Sequence, residues 1–143
     1  MNATIETMLN RRTIRAFTDE PIPQYIVDTL LKVANLSANS YGMSQYSIIE
    51  ITDAEIKKQL AEICLQPYVA QAAKLYIFII DIHRNAKILD EAGLSDKNLR
   101  NMNSFVQGTS DGTLAAQSMV IAAQSLGLGA VFLGSILNDV DAV

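Results

Sequence analysis

Residues 111–129 read DGTLAAQSMVIAAQSLGLG and form the most strongly patterned segment of the chain. Asp111 is typical of a helix N-cap, and the glycines that close the segment are typical of a helix end. The polar pairs Gln117-Ser118 and Gln124-Ser125 lie seven residues apart, so apolar residues cover the remaining circumference of the helix. The pattern predicts a helix over residues 111–126 that is buried on more than one side.

The size of the chain limits how such a helix can be covered. With 143 residues, half of them hydrophobic, the sequence is expected to form a single domain over residues 1–143 with a substantial core. The secondary-structure layers of one subunit of this length hardly suffice to bury two sides of a helix. We therefore predict that the helix lies at a homodimer interface.

Outward from this helix, the remaining patterns alternate between helices and strands. Apolar residues at helical spacing predict an amphipathic helix over residues 23–36, and a capping box from Thr52 to Glu55 predicts a second one reaching Cys64. Residues 87–102 are expected to form a looser helical connection. Three strands are predicted, the second of them central: residues 47–51, 75–82 and 130–133. This order favours the α+β class, with helices covering an antiparallel or mixed sheet.

Composition narrows the possible functions. A net charge of −4 argues against nucleic acid as a partner, and the longest apolar run, residues 75–80, is too short to cross a bilayer. The N-terminus lacks the pattern of a signal peptide, so we expect a soluble cytoplasmic protein. The single cysteine and single histidine supply neither a disulfide nor a His/Cys metal site, and little for a catalytic triad. If the protein is an enzyme, a cofactor carries the chemistry.

The arginines are concentrated near the N-terminus. Three of the five lie within Arg11-Arg12-Thr13-Ile14-Arg15. In an acidic chain, so local a group of guanidinium side chains beside a hydroxyl points to one small anion, most simply a phosphate. In an extended segment Arg11, Thr13 and Arg15 share one side. The alternative is a solvated basic turn that balances Asp19 and Glu20.

Four other features have a plain structural interpretation. The polar segment 37–45 reads as a loop that leads into a strand. Cys64 is expected to be a small buried hydrophobe, and His83 to lie on the surface rather than in a catalytic site. Asp111 is expected to cap its helix rather than act as a base. The residues alone therefore predict a phosphate-binding α+β domain.

Four segments, taken in order, resemble the nitroreductase family of FMN-dependent oxidoreductases, particularly its NADPH-preferring group of nitroreductases and flavin reductases. The likeness spans nearly the whole chain, and its segments are RRTIRAFTDEP at 11–21, SII at 47–49 with ITD at 51–53, Gln66 with VAQAA at 69–73, and AAQ at 115–117 with AAQSLGLG at 122–129.

The resemblance implies a layered α+β fold, with helices packed around a central, mostly antiparallel sheet, and a homodimer that holds FMN at the subunit interface. NADPH or NADH would donate hydride, and nitroaromatics, quinones or free flavins would accept two electrons. The implied cofactor-binding residues are Arg11, Arg12 and Thr13 at the phosphate and ribityl end, Arg15 and Gln66 at the pyrimidine edge, Asn39 and Ser40 beside the flavin of the other subunit, and Phe132, Leu133, Gly134, Ser135 and Ile136 over the ring. No protein residue is expected to be catalytic, although Arg15 would tune the flavin.

The chain also departs from the family pattern. Its Gln45 is offset by one position, and Ser135 stands where a second glycine is common. Family members usually continue well past the point that matches Val143, so the resemblance implies that the C-terminal part is missing here. A non-catalytic flavin- or nucleotide-binding module, or a dimerisation fragment, is the alternative.

Overall fold

The computed structural model describes residues 2–143, and these residues form six α-helices and two β-strands. Short 3-10 turns cover Ser40–Gly42, Lys97–Leu99 and Gly134–Leu137. The elements are α1 (Ala3–Leu9), α2 (Gln24–Asn35), β1 (Tyr46–Glu50), α3 (Ala54–Ile63), α4 (Tyr68–Gln71), β2 (Tyr76–Ile80), α5 (Ile82–Glu91) and α6 (Met102–Ser125). Within these residues no helix combines the length and the apolar character that a bilayer span requires.

The chain divides into two compact units. The first unit contains the chain up to Asp28, Glu50–Tyr76 and Val120–Val143, and the second contains Thr29–Ile49 and Ile77–Met119. Each unit is described by itself. That the chain forms a single domain stays a prediction.

The core of the first unit is built around α3 and α4. Leu60, Ala61 and Cys64 from α3 and its C-terminal end are buried together with Val69 of α4. Cys64 is 1% exposed, so its expected role as a small buried hydrophobe is confirmed. The rings of Phe17 and Tyr68 meet edge to face, with centroids 6.3 Å apart.

The arginine segment, residues 11–15, is joined to the chain beyond α6. Thr13 forms an isolated parallel bridge with Ala130, and the Ile14 amide donates to the Ala130 carbonyl at 3.1 Å. Gly129 makes this approach possible, because a Cβ at that position would lie 2.9 Å from the Cβ of Ile14. The predicted strand over 130–133 is therefore wrong in extent: the structure forms this single bridge, since Thr13 and Ile14 offer only a short pairing edge.

In the sheet, β1 and β2 pair antiparallel. The Asp81 amide donates to the Gln45 carbonyl at one end, and the Ile51 amide donates to the Leu75 carbonyl at the other. Both strands lie close to their predicted positions. The expectation that β2 is central is wrong for residues 2–143, because β1 is its only neighbour there and Ile79 remains exposed.

The helix predicted over 111–126 begins nine residues earlier, at Met102. Asp111 lies in its interior and is 1% exposed, so the predicted N-cap role of Asp111 is wrong. Its carboxylate accepts hydrogen bonds from backbone amides 66 and 71 residues away along the chain, which no local pattern reveals. Gly108, one turn earlier, lets α6 approach closely: an added Cβ would lie 2.6 Å from the Ile80 side chain.

Two helix starts also differ from prediction. The N-cap of α3 is Asp53 rather than Thr52, and one oxygen of Asp53 accepts from the amides of Glu55 and Ile56. Asp53 is favoured over Thr52 as the N-cap because a carboxylate is a better acceptor than a hydroxyl and bears the negative charge that a helix N-terminus favours. The loose connection expected over 87–102 contains the second half of α5, whose N-cap is Asp81.

We expect Tyr76→Phe to leave the free energy of unfolding unchanged or to raise it by up to about 1 kcal/mol, because it removes a buried hydroxyl that has no hydrogen-bond partner among residues 2–143. Tyr46→Phe should instead lower it by about 0.5–1.5 kcal/mol, since the Tyr46 hydroxyl donates to the Ala34 carbonyl at 3.0 Å. Urea denaturation of the two variants measures both values, and a larger loss in Tyr76→Phe would contradict the assignment.

Tyr76 also leads us to expect that the free energy of unfolding depends on pH in the alkaline range. Burial, helped by the Glu50 carboxylate, raises the pKa of Tyr76 from 10.0 to about 12. Because the pKa is raised on folding, titration of Tyr76 leaves the free energy of unfolding unchanged below pH 10 and lowers it as the pH rises from 10 through about 12. We expect unfolding curves of Tyr76→Phe to lack the part of the decline between these pH values that the wild type shows.

Gly129→Ala should destabilise the protein by about 1–3 kcal/mol, because the new Cβ would overlap Ile14 and push the arginine segment off its bridge. Gly134→Ala is the matched control, since an added Cβ there meets nothing within 4 Å. Its stability should stay within about 1 kcal/mol of the wild type. Equal melting temperatures for the two variants would show that the close approach at Gly129 is unimportant.

Candidate functional site

The arginine segment carries three exposed guanidinium groups that no carboxylate neutralises. None of Arg11, Arg12 and Arg15 forms an ion pair with a residue in the described range 2–143. Asp19 and Glu20 are exposed and form no ion pair with these arginines, and a solvated basic turn, which needs no such pair, stays the alternative. An extended segment with unpaired cationic groups is suited to binding an anion from outside the segment.

Within this segment, one hydrogen bond brings a hydroxyl to an arginine. The Arg11 Nη1 atom donates to the Thr13 hydroxyl at 3.4 Å, which confirms that these two alternate side chains lie on one side. The Arg12 Nη1 atom donates to the Arg11 carbonyl at 3.0 Å, so the guanidinium of Arg12 lies against the backbone. Arg15 makes no side-chain hydrogen bond to any described residue. Guanidinium groups and a hydroxyl together match the acceptor oxygens of a phosphate.

The end of α6 holds the backbone of this segment. The Gln124 Nε2 atom donates to the Arg12 carbonyl at 3.2 Å. The Oε1 atom of the same amide is buried and has no hydrogen-bond partner among residues 2–143. Sequence reasoning placed Gln124 only as a polar position on the helix, and its contact 112 residues away in sequence carries no local signal.

Gln66 lies just beyond the C-terminal end of α3, to which the turn after Leu133 is also joined. Gln66 follows Leu65, which has a φ of 53°, and its side chain makes no hydrogen bond within the described chain. The Asn138 Nδ2 atom donates to the Ile63 carbonyl at 3.1 Å, which ties the Gly134–Leu137 turn to the end of the helix. Phe132 is exposed, whereas Leu133, Ser135 and Ile136 are half-buried and Gly134 faces open space. The first unit thus contains the arginines, Gln66 and the turn.

The other two predicted contacts, Asn39 and Ser40, lie in the second unit. The Asn39 amide is engaged within its own loop, since its Oδ1 atom accepts from the Ser44 amide at 3.4 Å and its Nδ2 atom donates to the Ser37 carbonyl at 3.5 Å. The Ser40 hydroxyl has no hydrogen bond to a described residue. Of the pair, the hydroxyl of Ser40 is therefore the group free to bind a ligand.

Residues 39–46, which we term the clamped loop, are held by charged side chains from two helices. The Asp111 carboxylate accepts from the amides of Ser40 at 2.8 Å and Gln45 at 3.1 Å. From α5, the Arg84 guanidinium donates to the carbonyls of Tyr46, at 3.0 Å, of Met43, at 3.4 Å, and of Ser44. Burial, and then the Asp111 carboxylate, raise the pKa of Tyr46, and the Arg84 guanidinium opposes them. Sequence reasoning assigned Asp111 to a helix cap and gave Arg84 no role.

Asp81 fixes the helix that carries Arg84. Its carboxylate accepts from the Ser47 hydroxyl and, at 3.0 Å, from the Arg84 amide. The hydrogen bond from Ser47 is the main cause that lowers the pKa of Asp81, followed by that from the Arg84 amide. Asp81 therefore stays ionised down to lower pH than an ordinary aspartate.

Gln45, the glutamine offset from the family pattern, is fully buried. Its Nε2 atom donates to the Oε1 atom of Gln107 at 3.0 Å, and its own Oε1 atom has no hydrogen-bond partner in the described structure. Gln107 also lines a pocket of about 450 Å³ in the second unit, at whose rim the exposed ring of Tyr41 lies. The Gln45 side chain thus supports the loop from within rather than facing outward.

The single cysteine and the single histidine lie where the sequence analysis expects them. Cys64 is buried, and His83 is exposed in the first turn of α5, as expected for a surface histidine. No group of three His, Cys, Asp or Glu side chains in residues 2–143 is placed to hold a metal ion. A cationic segment that bears a hydroxyl is suited to a small anion, and the Gln66 amide keeps its donors and its acceptor for a polar partner.

Curated proteins are similar to this chain in sequence. An FMN reductase (NADPH) of Bacillus subtilis (strain 168) is 40% identical over 146 residues, which cover 100% of this chain and 58% of that protein. An NADPH-dependent oxidoreductase of Staphylococcus saprophyticus is 35% identical over 136 residues, covering 94% of this chain and 54% of that protein. The chain therefore spans somewhat more than half the length of the curated relatives it matches.

Solved structures of similar proteins match the fold of this chain. The structure of NfrA1 nitroreductase from B. subtilis matches with a TM-score of 0.92 at 39% identity, over 96% of this chain and 57% of that chain. NADPH:FMN oxidoreductase from Vibrio harveyi, solved in complex with NAD+, matches with a TM-score of 0.90 at 34% identity, over 96% of this chain and 58% of that chain. These matches confirm the α+β fold.

A family model places the chain. The model described as the nitroreductase family matches residues 8–143, which include the arginine segment, the clamped loop, α6 and the turn after Leu133. The chain belongs to the nitroreductase family.

Proposed function

We propose that this chain is the FMN-binding part of an NAD(P)H-dependent oxidoreductase. The observation that carries the proposal is the set of three unpaired guanidinium groups beside Thr13, in the same unit as Gln66 and the turn after Leu133. The relatives named FMN reductase (NADPH) and NADPH:FMN oxidoreductase support the same choice of cofactor and electron donor. The cytoplasmic location expected from the sequence is part of this proposal.

Bound FMN would supply the two-electron chemistry, with NADPH or NADH as donor and a nitroaromatic, a quinone or a free flavin as the small-molecule acceptor. Arg11, Arg12 and Thr13 would bind the phosphate and ribityl end through charge-assisted hydrogen bonds. Arg15 and Gln66 would hold the pyrimidine edge. A fixed guanidinium there favours the negative charge that develops on reduction, so Arg15 would make the cofactor easier to reduce.

Residues 132–136, which include the first part of the turn after Leu133, would cover the ring of the flavin. Gly134 leaves open space where a side chain would otherwise stand, and the backbone N–H near Ser135 would be the donor to the reactive edge of the flavin. The chain itself needs no general base under this proposal, which agrees with the burial of Cys64 and the surface position of His83.

The affinity for FMN provides the first test. Arg11→Ala should raise the dissociation constant about 10- to 150-fold, because one charge-assisted contact to phosphate is lost. Quenching of flavin fluorescence during titration measures it. Arg100→Ala is the matched control, since Arg100 is an exposed arginine that pairs with Asp96 and should leave the affinity unchanged. If both variants raised the dissociation constant equally, the effect would come from the change in net charge, and the proposed contact of Arg11 with the phosphate would be contradicted.

Turnover distinguishes the enzyme from its alternative. Arg15→Ala should slow flavin reduction by NADPH at saturating FMN, and stopped-flow absorbance follows that step. Protein that binds FMN but oxidises no NADPH with any acceptor would be the non-catalytic flavin-binding module. Protein that binds no FMN while folded would leave a dimerisation fragment as the remaining choice.

We also propose that the protein forms a homodimer through one side of α6, which we term the α6 face. Asp111 is the only charged residue in this 24-residue helix, and it is buried. The large exposed side chains of the α6 face are apolar: Met102, Phe105, Val106 and Leu114. Among them, the hydroxyls of Thr109, Ser110 and Thr113 donate to the backbone carbonyls four residues earlier, so they need no water. An apolar face without charge is typical of an interface.

Phe105→Glu should weaken the dimer roughly 100-fold or more, because a carboxylate would be buried without a partner. Light scattering behind size-exclusion chromatography, over a range of concentrations, reports the mass. Ile56→Glu is the control: it adds the same charge to an exposed isoleucine of α3 and should leave the mass unchanged. A wild-type monomer at all concentrations would contradict the proposed dimer.

A further inference from the structure

The interior of α6 holds a carboxylate that has no cation beside it in an ion pair. Asp111 is 1% exposed, and none of the salt bridges between described residues includes it. Its two oxygens are instead used by the amides of Ser40 and Gln45, one each. A buried charge is costly unless its acceptor sites are filled, so the two amides and the carboxylate depend on one another.

The loop between those two amides is in a conformation that it would not adopt unaided. Tyr41 has a φ of 57° and Ser44 has a φ of 44°, both in the left-handed region that non-glycine residues rarely occupy. The amides that Asp111 accepts lie just before the first of these residues and just after the second. Strained backbone persists only where the surroundings over-determine it, and such strain concentrates at functional sites.

The carbonyl side of the loop is held independently. Arg84 donates to three of its carbonyls, and the Asn85 Nδ2 atom donates to the Met43 carbonyl at 3.2 Å. The Asp111 carboxylate thus accepts from two N–H groups of the clamped loop, and the Arg84 guanidinium donates to three of its C=O groups. The clamped loop is therefore fixed from α6 and from α5.

The clamped loop presents groups that the loop itself does not use. Tyr41 is 85% exposed, although tyrosine is on average an intermediate residue in burial. The Ser40 hydroxyl has no hydrogen bond within residues 2–143. The Ser40 hydroxyl and the Tyr41 ring are therefore the groups of the clamped loop that are accessible to a ligand.

We propose that Asp111 is a positioning residue for the cofactor site. From inside α6, its carboxylate sets the conformation of the clamped loop and thereby the position of Ser40, the residue that the family resemblance implies beside the flavin of the other subunit. The part of this inference that concerns the flavin rests on the proposed function. The part that concerns the loop rests on the two hydrogen bonds and the two strained residues.

Asp111→Asn is the direct test, because the asparagine keeps one acceptor oxygen but turns an NH2 group towards one of the two backbone amides. Hydrogen exchange of the backbone amides, followed by mass spectrometry or NMR in the full chain, reports the loop. We expect exchange at Ser40 and Gln45 to become about ten-fold faster or more, while amides of β2 and α3 stay within about two-fold of the wild type. An unchanged loop, or an equal acceleration everywhere, would overturn the proposal.

Asp53→Asn is the matched control. Asp53 also accepts two backbone amides, but through one oxygen and on the surface, so asparagine can replace it as an N-cap. This variant should leave exchange in the clamped loop unchanged. Should Asp111→Asn fail to fold, Arg84→Lys tests the other side of the clamp, because a lysine ammonium cannot span three carbonyls. It should accelerate the exchange of the same loop amides, and no acceleration would count against the clamp.

The cofactor readout separates positioning from mere support. With FMN added, Asp111→Asn should raise the dissociation constant about ten-fold and change the visible circular dichroism of the bound flavin, whereas Asp53→Asn should change neither. A loosened loop with wild-type affinity and spectrum would refute the positioning role. If the wild type binds no FMN, the proposed function fails, and the exchange measurements still decide whether Asp111 sets the loop.

Discussion

The buried carboxylate of Asp111 organises the second unit. A charge that is 1% exposed must have its oxygens filled, and the amides that fill them belong to a loop that precedes β1. The loop can reach the carboxylate because Gly108, one turn earlier, lets α6 lie against Gln45 and Ile80. The positions of α6, the clamped loop and Ile80 of β2 therefore depend on two features of α6: the buried carboxylate of Asp111, whose oxygens must be hydrogen-bonded, and the absence of a side chain at Gly108.

In the first unit, a close steric contact has the corresponding role. Ile14 lies against Gly129, and the Ile14 amide then reaches the Ala130 carbonyl. Gln124 adds a hydrogen bond to the Arg12 carbonyl. The anchoring from outside the segment is made through peptide groups and through Ile14, so no carboxylate is needed to hold it and the guanidinium groups keep their charge unpaired. This is the feature on which the proposed role in binding rests.

Local patterns predicted both strands and two of the six helices of residues 2–143 closely. The strands over 47–51 and 75–82 and the helices starting near Pro23 and Thr52 lie within one or two residues of their predicted positions, because hydrophobic periodicity and capping are short-range properties. Asp111 shows where this reasoning ends. An aspartate before an apolar helical run fits an N-cap and a long-range acceptor equally well, and only Ser40 and Gln45, distant in sequence, decide between them.

The candidate site likewise contains residues that the sequence predicted and residues that only the structure reveals. The arginine segment was visible from charge alone, and the nitroreductase resemblance added Gln66 and the turn after Leu133. Arg84 and Gln124 were not predicted, since each acts on backbone atoms far away in sequence and neither has a local pattern. The roles of the individual residues towards FMN stay predictions.

The two sides of α6 link subunit association to the clamped loop. Ser104, Gly108, Asp111 and Ala115 recur at helical spacing and are all buried, so they form the inner side, opposite the α6 face. A partner subunit on the α6 face would restrict the helix as a whole, including the carboxylate that holds the loop. Part of the entropy needed to fix the loop would then already be lost on association. Since such coupling is reciprocal, under the two proposals a ligand that orders the loop strengthens the dimer by the same free energy by which the dimer strengthens binding of that ligand.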